Sequence, residues 1–111
     1  MEIYPTGIEV SNGDQQLEIT WSDQKKSIYP LRGLRINCPC VICRGGHASM
    51  GDFDPSVFFA KDPEHIHIRN INTIGNHAIQ IVWSDGHDSG MYRWETLRFL
   101  DPENHRAEFD K

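Results

Sequence analysis

Residues 17–35 read LEITWSDQKKSIYPLRGLR, and residues 79–98 read IQIVWSDGHDSGMYRWETLR. Each stretch is an alternating apolar run that closes on Trp-Ser-Asp, followed by a Tyr and then Leu-Arg at a fixed distance beyond it. The shared points are Trp21/Trp83, Asp23/Asp85, Tyr29/Tyr92 and Leu34-Arg35/Leu97-Arg98. The second copy is one residue longer, and the extra residue falls where Gly86-His87 sits. Leu17, Ile19 and Trp21 alternate along one strand face, as do Ile79, Ile81 and Trp83 along another.

Each copy is preceded by a second alternating run. Ile8 and Val10 lead into Asn12-Gly13, a pair suited to a type I′ hairpin turn, and Ile66 and Ile68 lead into Gly75-Asn76, suited to a type II′ turn. Met91, Trp94 and Leu97 recur at three-residue spacing, which predicts one helical face, and Asp101-Pro102 closes that helix. In the first half Pro30 is read as the first helical residue, with Gly33 keeping the helix brief. The expected fold is mainly β (α+β): antiparallel sheets from two similar hairpin-plus-strand halves, with one or two short helices.

One domain spanning 1–111 is expected from the length. Residues 44–64 match neither copy and are punctuated by Gly, Asp and Pro, so they are read as a long loop. Val57, Phe58 and Phe59 are read as pinning its far end onto the core. Residues 103–111 are read as a polar tail. A net charge of −5, with no basic run longer than Lys25-Lys26, argues against a nucleic-acid partner. The N-terminus lacks the features of a secretory signal, and no apolar stretch approaches a membrane span. The cytoplasm is the expected compartment, with no membrane partner.

All three cysteines fall in INCPCVICRGG, residues 36–46. Cys40-x-x-Cys43 is a metal-knuckle spacing, and Pro39 forces Cys38 into an extended entry from the side. The competing reading is inert burial of small hydrophobes, but a Pro- and Gly-flanked turn has no long buried face to fill. A redox CxxC is disfavoured because no βαβ pattern surrounds it. Three thiolates leave a closed zinc site one ligand short, and six histidines compete for that place. His47 closes the smallest loop, while His87 costs little more because closure entropy grows only logarithmically. His65 and His67 share a strand face, and His77 and His105 are read as solvated. Spacing alone does not separate His47 from His87. Arg44 and Arg35 are candidates to offset the site's negative charge.

The motif WSDGHDSGMYRWETLR, with LRINCPCVICRGG upstream, resembles the gamma-butyrobetaine hydroxylase-like N-terminal domain family, over about Ile8 to Leu100. That family consists of small domains of largely unknown function. Its members occur alone, at the N-terminus of gamma-butyrobetaine and trimethyllysine hydroxylases, and fused to P-loop ATPases of iron–sulfur assembly. The resemblance implies zinc held by Cys38, Cys40, Cys43 and His87.

No catalytic residues are expected. Asp85, His87 and Ser89 are triad residue types, but neighbours in one hairpin do not form an oriented line with an oxyanion hole. The hydroxylases named above act through a separate iron-binding domain, and these 111 residues contain no His-x-Asp with a distant His. The expected function is therefore a non-enzymatic accessory or protein-interaction module with a structural zinc clamp. The alternative is an iron–sulfur assembly or carrier accessory using the same cysteines. The expected partner is another protein or domain, and exposed strand edges leave a homodimer open.

Overall fold

The structure is a computed structural model that describes residues 3–39, 53–61 and 63–106. The repeated sequence builds a repeated architecture. In the first half β1 (Pro5–Ser11), β2 (Gln16–Trp21) and β3 (Lys26–Pro30) form one antiparallel sheet in that order, followed by helix α1 (Leu31–Ile36). In the second half β4 (Ile68–Ile74), β5 (Ala78–Trp83) and β6 (Met91–Arg93) form another, followed by helix α2 (Trp94–Leu100). Even the irregularities repeat, because the first strand of each sheet slips register near its start, at Pro5/Gly7 and at Ile68/Asn70.

The central strands carry the core, as their period-two pattern requires. Leu17, Ile19, Trp21, Ile79, Ile81 and Trp83 are buried and join Tyr29, Leu31, Leu34, Tyr92, Leu97 and Leu100 in a single apolar cluster. Fully burying such side chains contributes about 1.5–3 kcal/mol each, as an upper estimate. Gly33 serves this packing directly. A Cβ there would lie 2.7 Å from Phe58 Cδ1, so the missing side chain is what lets the Phe58 ring lie against α1. Phe58 belongs to a short 3₁₀ turn, Pro55–Phe59, within the stretch read as a loop.

The two halves hold each other by reciprocal bonds between the shared residues. The Tyr29 hydroxyl donates to the Leu97 carbonyl, and the Tyr92 hydroxyl donates to the Leu34 carbonyl. Arg35 Nε donates to Asp85 at 3.1 Å, and Arg98 makes a two-pronged bond to Asp23 at 3.0 and 3.1 Å. Arg98 also lies over the Trp21 ring, 5.3 Å from its centre. Burial pushes the Tyr29 hydroxyl far up from the ordinary phenol value, so it stays a neutral donor.

Three local expectations are corrected. The first hairpin does not turn through a type I′ Asn12-Gly13 pair. Its loop is four residues long, between Ser11 and Gln16, and Gln15 takes the left-handed conformation at φ 56°. The reason is non-local: the Asn12 side chain bonds both backbone groups of Ile68, and the Gln15 side chain bonds both backbone groups of Ile66. Met91 is not on the helical face. It lies in β6, exposed, while Tyr92 beside it points into the core. Strand pairing to Gln80 overrides the three-residue spacing there. Pro30 ends β3, and α1 begins one residue later.

Candidate metal centre

Helix α1 ends at Ile36, and the next two residues are fixed on both sides. The buried side chain of Asn37 donates to the Asp54 carbonyl and accepts from the Asp54 N–H, at 3.0 and 2.7 Å. Cys38 follows with its N–H bonded to the Arg35 carbonyl, and it is buried. His87 arrives from the other half, in the turn between β5 and β6. That turn closes through Gly86 N–H to the Trp83 carbonyl and Trp83 N–H to the His87 carbonyl, both at 3.0 Å. Gly86 takes φ 87°, a conformation that glycine adopts freely. Asp85 accepts the His87 N–H at 3.1 Å while its other oxygen accepts from Arg35.

This arrangement brings Cys38 Sγ to 3.1 Å from His87 Nε2, across 49 residues of sequence. Burial pushes the Asp85 carboxyl up, but the His87 N–H and the Arg35 guanidinium outweigh it and hold it below the usual range. A charged carboxylate thus fixes the histidine turn to the helix that leads to the cysteine.

Cys40, Cys43, Arg44 and His47 lie outside the described residues. Among those described, no three potential ligands cluster. The other described histidines stand elsewhere. His65 and His67 precede β4 with their side chains exposed, and His77 lies in the β4–β5 turn. The His105 ring meets the Phe99 carbonyl at 2.9 Å.

Of the expected donors the structure describes two, Cys38 and His87, and both are residue types that zinc takes as ligands. Two ligands at tetrahedral zinc, with Zn–S near 2.3 Å and Zn–N near 2.0–2.1 Å, stand about 3.6 Å apart. The Cys38–His87 pair is half an ångström inside that, a distance that also suits the S–H···N bond the pair forms alone. Space for the sulfur comes from Gly90, where a Cβ would lie 2.5 Å from Cys38 Sγ.

The internal repeat reaches further than its tryptophans and arginines. Counting from Arg35 and Arg98, Cys38-Pro39 corresponds to Asp101-Pro102. Counting from Trp21 and Trp83, Lys25 corresponds to His87. Counting back from Tyr29 and Tyr92, Ser27 corresponds to Gly90. These equivalents meet too: Lys25 Nζ lies 3.5 Å from the buried Asp101 carboxylate, which also accepts from Ser27 at 2.6 Å. The molecule therefore has two equivalent joints between its halves, one made by Cys38 and His87, the other by Asp101 and Lys25. The signal for the second joint was legible as Leu-Arg-x-x-[Cys/Asp]-Pro, a pattern longer than the Leu-Arg match alone.

Residues 8–98 match the family described as gamma-butyrobetaine hydroxylase-like, N-terminal. The fold is similar to that of a protein of unknown function from Acidithiobacillus ferrooxidans. That crystal structure is 27% identical, with a TM-score of 0.64 over 87% of this chain and 91% of that one. It is also similar to a protein solved by solution NMR, at 25% identity and a TM-score of 0.72 over 93% of this chain and 72% of that one. A second NMR structure, 19% identical with a TM-score of 0.62 over 96% and 80% of the two chains, shares the fold. No curated protein matches the chain.

Proposed function

The chain belongs to the gamma-butyrobetaine hydroxylase-like N-terminal family, and from that premise we propose that it is a non-enzymatic accessory domain whose halves are fastened by a structural zinc ion. Cys38, Cys40, Cys43 and His87 are the ligands. The single observation that carries this reading is the meeting of Cys38 and His87 from opposite halves at 3.1 Å. Each sits beside an arginine–aspartate bond that repeats elsewhere in the molecule for purely structural ends.

Zinc with four protein ligands has no position for water or substrate, so it supplies no catalysis. Binding energy at such a site becomes folding energy. It is spent here on the joint between the halves. The domain's work is then to dock on, or be attached to, another protein, and the family's place as an N-terminal region supports that role. Among the described residues no helix is long and apolar enough to cross a membrane. The cytoplasm is the proposed compartment.

Elemental analysis with a visible spectrum on anaerobically purified protein tests the reading. One zinc per chain and no colour is the expected result. Iron with sulfide and a visible band would replace it with cluster handling by the same cysteines. A metal-free, fully folded chain would overturn both.

A further inference from the structure

The repeat sets one edge of each sheet against the other. Asn12, just beyond β1, bonds both backbone groups of Ile68 through its side chain, and Gln15 does the same for Ile66. The backbone groups of these two residues therefore point away from β5 and toward the first half. Beyond the slip at Ile68/Asn70, the alternation of an antiparallel pair turns those of Ile71 and Thr73 the same way. Their counterparts in β1 are Ile8 and Val10, which lie opposite Ile19 and Leu17 as Ile71 and Thr73 lie opposite Ile81 and Ile79. Among the described residues, no backbone bond from outside its own sheet reaches any of the four. The two edges line common cavities, one of about 370 Å³ between Ile8 and Ile71, the other of about 480 Å³ between Tyr4, Thr73 and Trp94. Along most of β1 and β4 the Cα atoms of the two strands stand more than 8 Å apart, wider than the roughly 4.7–4.9 Å of a paired ladder.

One end of this cleft is closed and the other is open. Ser22 bonds both backbone groups of Tyr4, and Ser84 both of His67, so Ile3 and Pro5 are the counterparts of Ile66 and Ile68. The loop 12–15 clasps Ile66 and Ile68. Its counterpart 75–77 has three residues in place of four. Among the described residues it makes no such bond to Ile3 or Pro5, and Pro5 has no N–H to offer. Tyr4 and Trp94 line the end left open.

We propose that an extended segment of a partner protein enters there and adds as a strand between β1 and β4, joining the two sheets. This deepens the accessory-module reading above and needs no metal. The occupant is a main chain, because each wall of the cleft presents unmet peptide donors and acceptors, and such edges take extended chains. The side-chain amides of Asn12 and Gln15 already act as that partner on the approach to β4. The bare edge thus continues an interface that the molecule itself uses. The segment is uncharged, since the larger cavity has no charged residue in its walls and Arg69 is the one charge in the smaller. A charge buried there without a partner would be costly. A second copy is a poor occupant, because the edge it would present stands inside a cleft of its own.

The test selects random seven-residue peptides, the length of β1 and of β4, displayed on phage against the full chain. The most enriched sequence is then made as a free, capped peptide. It is expected to lack charged side chains and to lose about tenfold in affinity when alternate backbone nitrogens are methylated. Saturation with it is expected to slow amide exchange at Ile8, Val10, Ile71 and Thr73. Thr73→Pro removes one outward N–H and no bond to β5, so it is expected to fold and to bind about tenfold more weakly. Thr73→Val keeps that N–H and is expected to bind as wild type does. No enrichment, a charged consensus, undiminished binding by the methylated peptide, or slowing confined to one strand would overturn the proposal. A binder that leaves all four amides exchanging as before would overturn the cleft while leaving a docking role at another surface standing. Slow exchange at the four amides in a concentrated, dimeric chain without peptide would give the cleft to a second copy and overturn the proposal too. Should Thr73→Pro not fold, exchange in the wild-type chain with the two peptides decides.

Discussion

The hydroxyl of Tyr29 donates to the carbonyl oxygen of Leu97, 68 residues away, and closes the last turns of a helix that belongs to the other half of the molecule. Tyr92 returns the bond to Leu34 at 2.8 Å. The halves are therefore held by an exchange of equivalent contacts, the kind an internal twofold requires. Removing either hydroxyl leaves a buried carbonyl without this donor. Tyr29→Phe and Tyr92→Phe are each expected to cost about 1–3 kcal/mol in urea unfolding, and by similar amounts. A loss confined to one of the two would contradict the equivalence.

The arginine–aspartate exchange sets a pH dependence. The Arg98 guanidinium, bonded to Asp23 by two prongs, is the main cause that holds the Asp23 carboxyl below its ordinary value. A folded-state pKa below the unfolded one contributes stability that is fully present above the ordinary carboxylate range. That contribution is lost as pH falls through the lowered value. Asp23→Asn is expected to be less stable than wild type at neutral pH and to approach it in acid, as read by melting temperature from pH 7 downward. A constant difference across that range would show that the charge is not responsible.

Asp101 and Lys25 share an ion pair but not its consequences. Asp101 is buried and accepts from Ser27 and from the Glu103 N–H, whereas Lys25 is about a third exposed. Asp101→Ala is expected to cost about 2–3 kcal/mol, because it strands the donors around it. Lys25→Met should cost under ~1 kcal/mol, since the solvent screens its partnership. Equal losses in denaturant titrations would mean that the ion pair, not the hydrogen-bond network, holds this joint.

Gly33 is a packing position. Alanine there would meet Phe58 Cδ1 at 2.7 Å and the Val57 carbonyl oxygen at 3.3 Å. Gly33→Ala should therefore destabilise by about 1–3 kcal/mol even though alanine is the better helix former. A gain in thermal stability would show that the Phe58 ring moves aside freely.

Much of this was legible in the sequence because the repeat writes the same physics twice. The alternation ending at Trp21 and Trp83 marks the central strands, and the Tyr and Leu-Arg spacing marks the third strand and helix of each half. What escaped the sequence depended on contacts between distant segments. Asn12-Gly13 reads locally as a tight turn, yet the Asn12 and Gln15 side chains are committed to Ile68 and Ile66, and the loop opens to four residues. Met91 has helical spacing, but pairing of β6 to β5 decides its place. At the candidate centre, residue spacing left His47 and His87 equal, and family resemblance favoured His87. The fold adds the meeting of His87 with Cys38, which no local pattern encodes. The counterpart joint went unread because its carboxylate and amine share no residue type with a cysteine and a histidine.

The central claim is that zinc fastens the two halves through His87 and the three cysteines. The most direct measurement is the melting temperature of the zinc-loaded chain before and after chelation, beside His87→Ala treated alike. Chelation is expected to lower the wild-type melting temperature by many degrees, to near that of His87→Ala, which itself should not respond to chelator. A wild-type chain that melts unchanged after chelation, with His87→Ala equally stable, would contradict the claim.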